Sequence, residues 1–139
     1  MRRQILFVSC ILLSFAGPAF AQGPGDPIAE HLFSPELIMK NQREIGLAEG
    51  QEKTIKEAIQ RAQAKFLEMQ WQMQGEAGSL IQLLKARPVD EGAVLAQIDR
   101  VLDLERNIKR AQISLLIRIK NTLSDQQIAR LTELKGRGL

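Results

Sequence analysis

Tyrosine is absent from this chain, and cysteine, histidine and tryptophan occur once each, as Cys10, His31 and Trp71. These gaps exclude most catalytic chemistry. One histidine cannot furnish the usual acid–base or metal constellations, and no glycine-rich phosphate loop is present. The acidic residues are spread through charge-balanced segments, the pattern of solvated helix faces. The expectation is a protein that is not an enzyme. Aromatic residues make up only 4% of the chain, and their scarcity disfavours strands. No apolar run is long enough to span a membrane, the one near the start of the chain included.

What is present begins with an export signal. Met1-Arg2-Arg3 is a short basic start, Ile5 to Phe15 is almost unbroken apolar sequence, and Ala19-Phe20-Ala21 is a small-x-small cleavage site. Residues 1–21 therefore read as a signal peptide that sends the chain to the periplasm. Arg2-Arg3 lacks the polar residue that precedes a twin-arginine pair. Cys10 lies inside the apolar run and is a poor lipoprotein cysteine. Cleavage after Ala21 removes that cysteine, so the mature chain has neither disulfide nor thiolate ligand. It also removes two of the three net positive charges. The basic balance of the whole chain is then no argument for nucleic acid, and no membrane insertion is expected after cleavage.

The remaining length suits one domain, and its dominant residues are good helix formers. The expected class is all-α: a four-helix hooked hairpin with two long antiparallel helices. Residues 22–33 open with Gly23-Pro24, Gly25-Asp26 and Pro27 and read as a flexible leader. A helical domain follows over 34–136. Ser34 and Pro35 start its first helix as N-cap and N1, Leu37, Ile38 and Ile45 are its contacts, and Gly46 ends it.

The second helix runs from Glu49 to Ala86, about 57 Å at 1.5 Å per residue. Ile55, Ile59, Ala62, Phe66, Met69 and Met73 form a heptad-like seam that Glu76 breaks before Leu80 and Leu83. Gly75 and Gly78 predict a bend or a close crossing, and Arg87-Pro88 ends the helix. Asp90 caps the third helix. Its stripe of Val94, Ile98, Val101, Ile108, Leu115 and Ile119 is flanked by Leu95, Leu102, Ile113 and Leu116, too wide a face for one partner helix. The fourth, from Asp125 to about Lys135, brings Ile128, Leu131 and Leu134 to cover part of it. The chain is too thin to bury both long seams alone, which predicts a homodimer pairing the second and third helices across a two-fold axis.

Two helix starts echo one another. Leu47-Ala48-Glu49-Gly50-Gln51 and Leu123-Ser124-Asp125-Gln126-Gln127 share Leu, a small residue, an acid and a closing Gln. In the second copy Ser124 and Gln127 have the spacing of a capping box, and Leu123 with Ile128 that of a hydrophobic staple. In the first, Ala48 has no capping oxygen and Glu52 replaces the staple partner.

With these paired motifs the chain resembles the Spy/CpxP-like periplasmic family, which includes the ZraP- and CnrX-like heavy-metal sensor and resistance proteins. The family's Leu-Thr-x-x-Gln pair is matched by Leu47 and Gln51 and by Leu123 and Gln127, with Ala48 and Ser124 at the threonine position. The resemblance spans about Pro35 to Leu134 and includes the Pro88-Val89-Asp90 turn. It implies a hooked hairpin that dimerises into a curved cradle. It also implies an ATP-independent chaperone or envelope-stress adaptor binding unfolded or sensor proteins, with a heavy-metal sensor or resistance protein as the alternative.

Two sets of residues are candidates for such work. Trp71 lies opposite the Phe66–Met73 seam at helical spacing, with Leu67 one turn before it. An apolar patch on a face that should be polar implies an outside contact, either a dimer interface or a client surface. Arg61, Lys65 and Lys85 on the same helix would attract acidic segments. A divalent transition metal would need converging His, Met or carboxylate ligands. His31 with Met39 is the first pair to consider, while Met69 and Met73 sit where core filling is the ordinary role. No other cofactor is expected.

Overall fold

The computed structural model describes residues 27–137. The signal peptide, its cleavage site, Cys10 and the first residues of the leader lie outside them. Five helices follow in order: α1 (Pro27–Glu30), α2 (Pro35–Asn41), α3 (Glu49–Lys85), α4 (Glu91–Thr122) and α5 (Asp125–Arg137). The described residues contain no strand. α3 and α4 form the long antiparallel hairpin, and α2 packs with α5 at its open end. The all-α hooked hairpin is the expected fold, with α1 as one additional turn.

The local signals act where they were read. Ser34 Oγ accepts from Leu37 N at 3.3 Å, ahead of Pro35 at N1. Asp90 Oδ1 accepts from Ala93 N at 3.0 Å. α2 ends at Asn41, earlier than the stop expected at Gly46, and one more turn of chain leads to Gly46 at φ 61°. Gly46 N donates to Arg43 O at 3.2 Å and Leu47 N to Gln42 O at 2.9 Å, the two bonds of a Schellman turn. Leu47 then packs on the core.

The core is concentrated at the open end, here called the base. Phe33, Ile38 and Ile45 meet Ile55 and Ala58 of α3, Leu115 and Ile119 of α4, Leu123, and Leu131 of α5. Ile38, Ile119 and Leu131 are at most 1% exposed. Elements from residue 33 to residue 131 therefore converge on one cluster, which the short helices close.

Two expectations need adjustment, and the seam break at Glu76 acquires a partner. Leu32 and Phe33, placed in the leader, are buried. Turn-forming composition upstream is outweighed here by burial of two large apolar side chains, roughly 2 kcal/mol each. The carbonyls of this stretch are also held: Lys120 Nζ donates to His31 O at 2.8 Å and Lys135 Nζ to Leu32 O at 3.1 Å. Gly75 and Gly78 make no close crossing, since a Cβ at either would meet nothing within 4 Å. The seam break at Glu76 is met from the other helix by Gln97, itself buried. Gln97 Nε2 donates to Glu76 O at 2.9 Å and to Glu76 Oε2 at 2.5 Å. Gln97 and the buried Leu104 share the three- and four-residue spacing of the α4 stripe, Gln97 as a polar member of it and Leu104 between Val101 and Ile108.

Candidate functional site

The two motif copies meet. Gln51 is the third residue of α3 and Gln127 the third of α5, each in the first turn of its helix and 76 residues apart. Gln51 Nε2 donates to Gln127 Oε1 at 2.8 Å, and Gln127 Nε2 donates to Gln51 Oε1 at 2.9 Å. Each oxygen also accepts from the N-cap amide of its own helix: Ala48 N at 3.0 Å and Ser124 N at 2.9 Å. Each nitrogen donates further to the carbonyl two residues before the other helix's N-cap. For Gln51 this is Thr122 O at 2.8 Å, and for Gln127 it is Gly46 O at 3.2 Å. The arrangement is pseudo-two-fold, and both amides use two donors and two acceptor positions, their full capacity.

The remaining half of each capping box separates the copies. Ser124 Oγ accepts from Gln127 N at 3.3 Å, while Ala48 offers no side-chain acceptor. Around the clasp, Arg130 binds Glu44 and Glu133, the latter at 2.7 Å. The Glu133 carboxylate first, then that of Glu44, holds the Arg130 guanidinium above its already high ordinary pKa. Saturated amides can take no ligand without breaking the clasp, so Leu47, Gln51, Leu123, Ser124 and Gln127 hold the fold. Leu47 and Leu123 contribute apolar contact with the core.

Beyond the base, the hairpin continues as an arm two helices thick. Leu67 is 57% and Trp71 69% exposed, and Ile81, Leu84, Leu95 and Leu102 are also exposed. Leu67 and Trp71 lie one turn apart, on the side of α3 away from the buried Met69. Arg61 and Lys65 do not join them. They line a cleft between α3 and α4, together with Arg110 and Arg118. Lys85 is the last residue of α3, at the tip. The basic and apolar candidates thus occupy three places, which spacing along one helix did not distinguish. Arg110 and Arg118 belong to the cleft but lie on another helix, so only the hairpin register reveals them.

A resident metal does not fit the described residues. No group of three or more His, Cys, Asp or Glu side chains converges among them. His31 is exposed in the α1–α2 connection and Met39 is exposed on α2. Met69 is buried in the hairpin and Met73 is half-buried, consistent with their filling the seam. Among the described residues no helix is long and apolar enough to cross a membrane.

A family model described as heavy-metal resistance matches residues 5–130, nearly the whole chain. No curated protein and no solved structure matches it. The chain belongs to this heavy-metal resistance family, the Spy/CpxP/ZraP-like group marked by the paired leucine–glutamine motif.

Proposed function

From that membership we propose that the chain is a periplasmic heavy-metal resistance protein, working without catalysis and through surfaces of its hairpin. The observation that carries the reading is the family match over residues 5–130. The basic start, apolar run and Ala19-Phe20-Ala21 site support export. Because no ligand set converges among the described residues, the reading gives the response to metal to protein contact rather than to a resident ion. A homodimer remains the expected assembly, since the arm leaves much apolar surface uncovered.

The test is growth under metal challenge. A strain lacking the gene should tolerate less zinc, copper, nickel or cobalt than its parent, and the intact gene should restore tolerance. Unchanged tolerance to all four metals would contradict the proposal.

A second reading, an ATP-independent chaperone or stress adaptor, is favoured by one observation: the exposure of Leu67 and Trp71. The mature chain would then suppress aggregation of a denatured client at stoichiometric ratios, and Trp71→Ala would weaken the effect. Absence of suppression by the wild type removes this reading and leaves the first intact.

A further inference from the structure

The cleft between α3 and α4 has a volume of about 650 Å³. Its floor is Ala58, Ala62 and Ala111 with Met69, Leu104 and Leu115. Three alanines stand where a packed seam would carry larger side chains, and they leave the groove open. Arg61 and Lys65 of α3 and Arg110 and Arg118 of α4 border it. All four are exposed, and none has an ion pair among the described residues. The single acid in the lining, Glu68, is bonded instead to Gln72, whose Nε2 donates at 3.5 Å.

The antiparallel hairpin sorts these groups. On α3 the chain runs from base to tip and on α4 from tip to base, so the four cations lie from the base-side end to the middle of the cleft, along the stretch that also holds Ala58, Ala62 and Ala111. Glu68, Gln72 and Asn107 lie at the other end, beside Met69 and Leu104. A chain of nearly balanced charge has concentrated four unpaired cations around a trough whose lining is part apolar and part polar. Like charges gathered this way are relieved by an anion.

We propose that this cleft binds a single-chain anionic amphiphile, a lipid carrying a carboxylate or phosphate head and one acyl chain. The head lies among Arg61, Lys65, Arg110 and Arg118 above the alanine floor, and the chain extends from there over Met69 and Leu104. A free phosphate would leave most of the volume and all of the apolar floor unused. An extended acidic peptide would bring backbone N–H and C=O groups that need partners. The walls are helices, whose backbone groups are bonded internally, and the neutral polar side chains in the lining are few. An acyl chain makes no such demand. The inference stands apart from the role in metal resistance.

The test is calorimetric titration of the mature chain with dodecyl phosphate below its critical micelle concentration. Inorganic phosphate, the uncharged dodecyl maltoside and hexaglutamate are titrated in parallel. Dodecyl phosphate should bind saturably, one per chain, and bind more tightly than the other three. The double variant Lys65→Glu/Arg110→Glu should weaken it roughly tenfold or more, and added salt should weaken it further. The milder Lys65→Gln/Arg110→Gln pair should fall between, with helical circular dichroism retained by both. Lys109→Glu, on α4 but outside the cleft, should change affinity less than about twofold. Non-saturable binding, equal binding of the maltoside, phosphate or hexaglutamate, or indifference to charge reversal would overturn the proposal.

Discussion

At the base, Ile38, Ile119 and Leu131 are at most 1% exposed, and segments from residue 33 to residue 131 share one cluster. Along the arm, Leu67, Trp71, Ile81, Leu84, Leu95 and Leu102 are each more than half exposed on the same two helices. The difference is one of layers. At the base α2 and α5 close over α3 and α4, so the wide apolar face of α4 is covered and Leu116 is buried. Farther out there is only one helix pair, and a pair can bury one side of each helix. The same kind of sequence, long amphipathic helix, thus gives a closed core at one end and an open surface at the other. Stability belongs to the first, and the proposed contacts with other molecules would use the second.

That contrast can be tested by substitutions ordered by their expected cost. Leu131→Ala removes a fully buried side chain from the point where α5 closes the base. It should destabilise the chain by about 3–4 kcal/mol in urea unfolding. A cost under about 1 kcal/mol would mean that α5 is not part of the cooperative core. Gln127→Ala takes away both halves of the clasp and leaves the Gly46 carbonyl, the Ser124 amide and one donor and one acceptor position of Gln51 to find water. A loss of about 2–3 kcal/mol is expected, read as a lower denaturation midpoint with an unchanged slope.

Ala48→Ser should act in the opposite direction. It supplies the hydroxyl that Ser124 has and Ala48 lacks, completing the first capping box. A gain of roughly 1 kcal/mol is the expected outcome; no gain would show that the α3 start gains nothing from the missing oxygen. Trp71→Ala belongs to the arm and should shift stability by less than about 0.5 kcal/mol. If it costs several times more in dilute protein, Trp71 is buried in an assembly and the arm is not an open surface in solution.

Much of the base was legible in the sequence, element by element. Ser34, Gly46, Asp90 and Ser124 mark ends by chemistry confined to one turn, and local chemistry is what sequence spacing reports. Ile38, Ile119 and Leu131 followed from apolar periodicity. The mutual bonding of Gln51 and Gln127 was not legible, although both residues were singled out. Their contact joins positions 76 residues apart, and each motif taken alone explains its glutamine as a capping residue. The cleft was missed for the same reason. Arg61 and Lys65 were grouped with Trp71 because they share α3, whereas their neighbours Arg110 and Arg118 are brought by α4. Gln97 escaped because a polar residue at a buried position is explained only by its partner, Glu76.

The leader shows where composition misleads. Glycine and proline before residue 28 suggested loose chain as far as Phe33, yet Phe33 is 2% exposed and belongs to the core. Lys120 and Lys135 hold the carbonyls on either side of the entry. The domain therefore begins before Ser34, with the segment that carries Leu32 and Phe33.

The central claim is that the two motif copies work as one clasp rather than as two independent helix caps. A double-mutant cycle on Gln51→Ala and Gln127→Ala measures this most directly. Either substitution alone already breaks both mutual bonds, so the double variant should cost clearly less than the sum of the singles, by about 1 kcal/mol or more. Strictly additive losses would contradict the account and return each glutamine to the role of a separate cap.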